Sequence, residues 1–526
     1  PGFFWPLRYL LFISYIILVN VKMTNASKKS YFELTKKWQR VAALSDAIAM
    51  LSWDRQAIMP SGSGAARAEQ IAILSVLKHE EITDSLTLEL VDKADTAELD
   101  EIEQKNLLEI RRIYQHAVAL SPKLVEEHSR ACAACEGQWQ VARKENNFQV
   151  VAGSLGEVVN LTQQIAAIKA ETFKSNSYDS LLDEYEPGGA SAQIDTIFAL
   201  LEPALQKLLP EVIEYQADID FPTYSTPVPI QNQKSLGQII MKALGFDFLK
   251  GRLDTSVHPF SGGTPDDVRI TTRYNENDWT GSLMGVIHET GHALYEQGLP
   301  SRWRGQPVGS ARGMVVHESQ SLLMEMQVCR SLEFFKFLAP IIAKEFMVRG
   351  DQWKAEELSN NSKRVIPNFI RVDADEITYP LHIILRYKLE KSLMRGDLSV
   401  PDLPDAWNEA FESSFGTRPS DDLQGCLQDI HWYDGAFGYF PTYTLGALAA
   451  AQLFSAARKD HPDILAQIST GHFSTLLNWL RKNVHSIGSS LSTEEILIKA
   501  TGSSLSTTAF LEHLNSRYLG RASKTY

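Results

Sequence analysis

His288 and His292 stand four residues apart in the run His288-Glu289-Thr290-Gly291-His292. On a helix this spacing projects both rings from one face. Two neutral imidazoles so placed can grip one tetrahedral ion, zinc above all. Glu289 lies between them in sequence. It reaches a water at such an ion without ligating it, which makes it the candidate general base. A third protein ligand is needed if the fourth position is to stay open for water. The stretch 298–313, rich in Gly, Pro and Arg, ends the first helix, and a second is expected from Met314. That helix carries Glu318, the candidate third ligand. His317 beside it faces elsewhere on the helix and serves at most as support.

These residues need a scaffold, and the dominant period along the chain is helical. Leu283, Ile287, Thr290 and Leu294 make a packing stripe opposite the histidines. Segments 98–116, 154–173, 190–208 and 407–415 carry apolar residues at three- and four-residue spacing. Val268, Ile270 and Thr272 alternate with Arg269, Thr271 and Arg273, so one short strand is expected just before the metal motif. The runs Pro60-Ser61-Gly62, Pro187-Gly188-Gly189 and Gly262-Gly263-Thr264-Pro265 read as turns. The expected fold is mainly α, a large multi-helix body with a small antiparallel β-sheet beside the metal site.

Composition narrows the partners. Of 526 residues 44% are hydrophobic, enough for a large core, and the net charge is −13. An acidic balance disfavours nucleic acid, because phosphate binding needs clustered cations. Cys132, Cys135, Cys329 and Cys426 are too few for a disulfide framework, and the Cys132/Cys135 pair reads as buried or half-buried thiols in a helix. A reducing, cytoplasmic setting fits. Residues 1–22 differ: Tyr9 to Val21 is nearly all apolar but, at thirteen residues, shorter than the roughly 20 that span a bilayer. They read as sequence upstream of a true start at Met23, or as a signal-like leader of an exported protein. Residues 23–526 read as one domain.

Six ordered motifs give a sharper reading. They are His258-Pro259-Phe260, Asp267-Val268-Arg269-Ile270-Thr271, the HExxH, His317-Glu318-Ser319-Gln320, Ile370-Arg371-Val372-Asp373-Ala374-Asp375, and Gly425-Cys426-Leu427-Gln428-Asp429-Ile430-His431-Trp432. Weaker ones flank them, among them Tyr185-Glu186-Pro187-Gly188. In these the chain resembles, from about Tyr31 to Tyr518, the carboxypeptidase Taq family of gluzincin-like metallocarboxypeptidases. The resemblance implies a helical fold with a deep cleft, one zinc (or cobalt) ion per chain, usually a homodimer, and removal of single residues from peptide carboxyl ends with broad specificity. It implies that Arg371 anchors the substrate carboxylate; read alone, Arg371 pairs with Asp373 or Asp375. His431, Tyr439 and Tyr443 are candidates for contacting the reacting carbonyl. The strand at Val268 is expected to pair with extended substrate, with Arg269 and His258 in the wall. A related oligopeptidase or dipeptidase remains open, as does an inactive peptide-binding scaffold, although such a scaffold has no use for Glu289.

Overall fold

A computed structural model describes residues 6–94, 98–224 and 226–521, with side chains from residue 28 onward. The first five residues of the apolar leader lie outside the described residues; the rest of it begins the first helix. Among the described residues no helix is long and apolar enough to cross a membrane.

By its internal contacts the chain falls into two compact units. The smaller comprises residues 1–118, 300–310 and 488–490. It is built on α1 (Pro6–Ala57), α2 (Gly64–Thr83), α3 (Ser85–Lys93) and most of α4 (Glu101–Ala119). Tyr31, Leu34, Trp38, Ile82, Leu107 and Ile110 form its core. Buried Asn106 sends its amide to the Tyr31 hydroxyl (3.2 Å) and to Gln306 Oε1 (3.0 Å), so the returning segment is stitched in by a satisfied polar pair.

The larger unit opens with α5 (Pro122–Glu145), α6 (Gln149–Phe173), α7 (Ser177–Leu182), α8 (Ser191–Gln216) and α9 (Ile230–Leu244). A sheet of β1 (Gly251–Thr255), β2 (Phe260–Thr264) and β3 (Asp267–Thr272) follows. After it come α10 (Trp279–Gly298), α11 (Met314–Leu322), α12 (Leu332–Glu345), α13 (Ala355–Asn361), α14 (Thr378–Arg395) and α15 (Leu403–Phe415). The unit closes with α16 (Pro441–Asp460), α17 (Ile464–Ser469), α18 (Ser474–Asn483), α19 (Thr493–Thr501) and α20 (Thr508–Leu519). Local chemistry sets many of these bounds. Ser121 caps α5 ahead of Pro122, Asp278 caps α10 at the Gly281 N–H, and a Ser492/Glu495 capping box opens α19. Gly396 and Gly416 close α14 and α15 at positive φ.

The expected helices are all present, and the sheet is small, but it is mixed rather than antiparallel. Its order is β1-β3-β2, with β1 parallel to β3 and β2 antiparallel to it. The run Gly262-Gly263-Thr264 is strand rather than turn. Gly263 is obligatory there, because a Cβ would lie 2.1 Å from the Asp267 carbonyl oxygen. Neither β1 nor β2 alternates in hydrophobicity, which is why only β3 is visible in the sequence. A second correction follows. As the central strand, β3 has both edges hydrogen-bonded to neighbours, so its backbone has no edge left for an extended substrate.

Candidate metal centre

The packing stripe of α10 is buried as expected, with Leu283, Ile287, Thr290 and Leu294 all at 4% exposure or less. The opposite face is half-buried, with Gly291 and His292 covered by α11 and His288 partly exposed. Gly291, inside the HExxH turn, makes this approach possible: a Cβ there would sit 2.4 Å from the Gln320 carbonyl oxygen and 2.5 Å from Ser321 Cα. On its far side α11 meets α16 at Gly446, where a Cβ would fall 2.7 Å from Glu318 Cβ. Gly291 therefore lets α10 and α11 touch main chain to main chain, and Gly446 leaves room on α16 for the Glu318 side chain.

The start of α11 is fixed by the motif at Tyr185. The Tyr185 carbonyl accepts from the Met314 N–H (2.7 Å), and Glu186 Oε2 accepts from the Val315 N–H (3.0 Å). Two of the helix's orphan donors are thereby satisfied, which sets the position of Glu318 one turn on.

His288, His292 and Glu318 bring one ligand atom each to within 4.8 Å of one another. The Nε2 atoms of His288 and His292 lie 3.7 and 3.5 Å from the two Glu318 oxygens. Each Nδ1 is already engaged. His288 Nδ1 donates to Glu325 Oε2 (2.9 Å), and Arg330 holds the other Glu325 oxygen at 2.7 Å. His292 Nδ1 lies 2.6 Å from His317 Nδ1, and His317 Nε2 lies 2.9 Å from Glu296 Oε1. Because Glu296 accepts the His317 Nε2–H, His317 Nδ1 is the acceptor for the His292 Nδ1–H. Both wirings occupy Nδ1 and turn Nε2 to Glu318, the orientation that a metal-ligating imidazole requires. The donor set, two imidazoles and a carboxylate with one position left open, fits a zinc-type ion.

Glu289 is 7% exposed, and burial lifts its carboxyl to about 7 despite the nearby His288. Burial pushes His292 down to about 4.

Beside this acidic group lies a cationic one. Arg371 is buried, and its partner is neither Asp373 nor Asp375 but Asp429: Nη2 donates to Oδ1 at 2.6 Å and Nε at 3.0 Å. Asp375 instead caps α14, accepting from the Ile377 and Thr378 N–H groups. Asp429 also accepts from Arg386 Nε at 2.6 Å. Between the two groups stand tyrosines. Tyr443 feels both Arg371 and Glu318, and burial raises its hydroxyl to about 12, so it stays a donor. His431 Nε2 lies 3.3 Å from the Tyr443 hydroxyl, and the Tyr439 and Tyr443 rings are 5.1 Å apart. Of the remaining candidates, Arg269 pairs with Asp267 (2.7 Å) and His258 is exposed. Pro259, next to His258, does pack near Gly285, one turn before His288 on α10.

Sequence reasoning passed over Glu325, Arg330, Glu296 and Arg386, and gave Asp429 no role. Glu325 had a readable signal, since it lies seven residues, two turns, beyond Glu318. The intervening segment 323–328 is π-helical, with the Cys329 N–H reaching back to Met324.

Helices bearing an HExxH turn, with a carboxylate supplied from the next helix, define a metallopeptidase. Comparison with known proteins makes this specific. The family model Carboxypeptidase Taq (M32) metallopeptidase matches residues 33–518. Thermostable carboxypeptidase 1 of Thermus thermophilus is 36% identical over 93% of this chain and 98% of its own length. Carboxypeptidase 1 of Bacillus subtilis is 33% identical with the same coverage. The solved structure of Trypanosoma cruzi metallocarboxypeptidase 1 superposes with a TM-score of 0.91, at 37% identity, over 94% of this chain and all of that one. The chain belongs to the carboxypeptidase Taq family, and it is a metal-dependent carboxypeptidase.

Proposed function

We propose that His288, His292 and Glu318 hold one zinc ion per chain, with cobalt as a substitute, and that Glu289 is the general base. The observation that carries this reading is the convergence of both Nε2 atoms on the Glu318 carboxylate while both Nδ1 atoms are occupied elsewhere. What zinc supplies when bound is Lewis acidity, which activates water and polarises the scissile carbonyl. Glu289 accepts the proton of the attacking water and returns it to the leaving amine; a carboxyl near 7 is matched to that exchange. Tyr443 and Tyr439, with His431 behind Tyr443, donate to the oxyanion that develops on the carbonyl. Arg371 receives the substrate's terminal carboxylate, and a fork already oriented by Asp429 suits that ligand. His258 and Arg269 belong to the outer wall, where they contact the peptide upstream of the cut.

Broad specificity, a homodimeric assembly and a cytoplasmic location complete the reading, with export as the alternative if residues 1–22 act as a leader. Free thiols at all four cysteines support the reducing compartment. Because a single family model runs through both compact units, residues 23–526 are taken to work as one enzyme. The test is mass spectrometry of one long peptide, digested with and without a chelator. A ladder shortened from the carboxyl end and abolished by chelation is expected. An internal cut, or a chelator-resistant ladder, refutes the reading.

A further inference from the structure

Why does the buried site hold two arginines against one aspartate? Arg386 has no solvent exposure. Its Nε donates to Asp429 Oδ2 at 2.6 Å and its Nη1 to the His382 carbonyl at 2.8 Å. Its Nη2 is buried without a hydrogen-bond partner among the described residues. The guanidinium lies over Trp407, 4.6 Å from the ring centroid, and 5.7 Å from that of Phe440. Arg371 holds the other side of the same carboxylate.

His431, His382, Tyr379 and Tyr443, which face this cluster, are neutral at pH 7. Burial pushes His431 down to about 4 and, with Arg386 beside it, drives His382 well below its ordinary value. Burial likewise raises the hydroxyls of Tyr379 and Tyr443. Asp429 stays ionised, because the two arginines outweigh its burial. Two positive charges and one negative remain, so the cluster carries one net positive charge out of water. An uncompensated buried charge is costly unless a counterion arrives.

A lone Arg371–Asp429 pair would meet an incoming carboxylate as a neutral dipole. Asp429 would repel that anion nearly as much as Arg371 attracts it. We propose that Arg386 is a positioning residue whose charge offsets that of Asp429, so that Arg371 meets the terminal carboxylate with its full positive charge. Asp429 then aims the fork while Arg386 cancels the electrostatic penalty of aiming it with an anion. This inference rests on the reading of Arg371 as the carboxylate anchor.

Charge and structure separate in a double-mutant cycle on the metal-loaded enzyme. Steady-state KM and kcat are measured for an N-blocked dipeptide with a free carboxylate, and Ki for its carboxamide. Arg386→Met should raise KM for the free acid roughly tenfold or more, with kcat and the carboxamide Ki nearly unchanged. Arg386→Lys should retain KM. Asp429→Asn alone, which leaves both guanidinium charges but loosens the aim of the fork, should raise KM less than Arg386→Met does. The double variant Arg386→Met/Asp429→Asn restores one net positive charge and should return KM to within about threefold of the parent. A double variant as poor as Arg386→Met, or equal losses for acid and carboxamide, overturns the proposal by showing a merely structural role. Should Arg386→Met fail to fold by thermal melting, Arg386→Gln takes its place, and a KM for the free acid equal to the parent's overturns the proposal. Arg371→Met tests the underlying reading separately. If it keeps the preference for free acid, the anchor itself is wrong; if it loses that preference while Arg386→Met does not, only the role of Arg386 falls.

Discussion

Two buried charge clusters in the larger unit are built with opposite deficits. Around His288 and His292, the carboxylates of Glu289, Glu318 and Glu325 face a single guanidinium, Arg330. Around Asp429, two guanidiniums face one carboxylate. The first group holds more carboxyl groups than guanidiniums, and the second more guanidiniums than carboxylates. Tyr443 lies within reach of both fields. On the proposed reading, the first group would hold the metal that acts on the scissile carbonyl, and the second would receive the free terminus of the substrate. A third cluster provides the control. Glu376 accepts from His513 (2.7 Å), Arg517 (3.0 Å) and the Tyr518 hydroxyl (3.2 Å), and its charges already balance.

The contrast can be broken at its acidic end with the largest effects. Glu318→Ala should release most of the metal and with it essentially all turnover; full metal content by elemental analysis would remove Glu318 from the ligand set. Glu289→Gln should keep the metal and lose about 10²- to 10⁴-fold in kcat, with KM little changed. Substantial residual hydrolysis would count against the assigned base. At the cationic end, Arg371→Met should cost free-acid peptides roughly 30-fold or more in kcat/KM while leaving carboxamide inhibitors unaffected; equal losses would dissolve the contrast. Glu325→Ala frees the His288 ring and should weaken metal binding about 10- to 100-fold, read by chelator competition.

The balanced cluster should give the smallest effect on activity, and one on stability alone. Burial opposes its charge, but His513 and Arg517 hold the Glu376 carboxyl down to about 2. A depressed carboxyl stabilises the fold above its unfolded value, near 4.5, and that contribution fades as pH falls towards 2. Glu376→Gln should therefore lower Tm at pH 7, by about 1–3 kcal/mol of stability, with the difference from the parent shrinking between pH 4.5 and 2. A pH-independent deficit would show that packing, not charge, is what Glu376 contributes.

How much of this was legible beforehand follows sequence distance. The HExxH turn, the break after it and Glu318 on the next helix are local patterns, and periodicity and turn residues expose them. Arg371 was legible as a residue but not as a partner. Its aspartate lies 58 positions on, and the second arginine 43 positions from that aspartate, so only the folded chain unites them. The parallel pairing of β1 was hidden because a strand without alternation carries no periodic signal. Gly291 and Gly446 read as ordinary helical glycines, since nothing local reveals that a backbone will arrive against the first and the Glu318 side chain against the second.

Those two glycines have a consequence for engineering. Main-chain contact at Gly291, rather than side-chain fit, sets how far apart the ligand-bearing helices α10 and α11 stand, and Gly446 sets how closely α16 covers the Glu318 side chain. Combinatorial libraries at surrounding core positions can therefore vary widely in shape and leave the ligand spacing intact, whereas a single added methyl at either glycine wedges the helices apart.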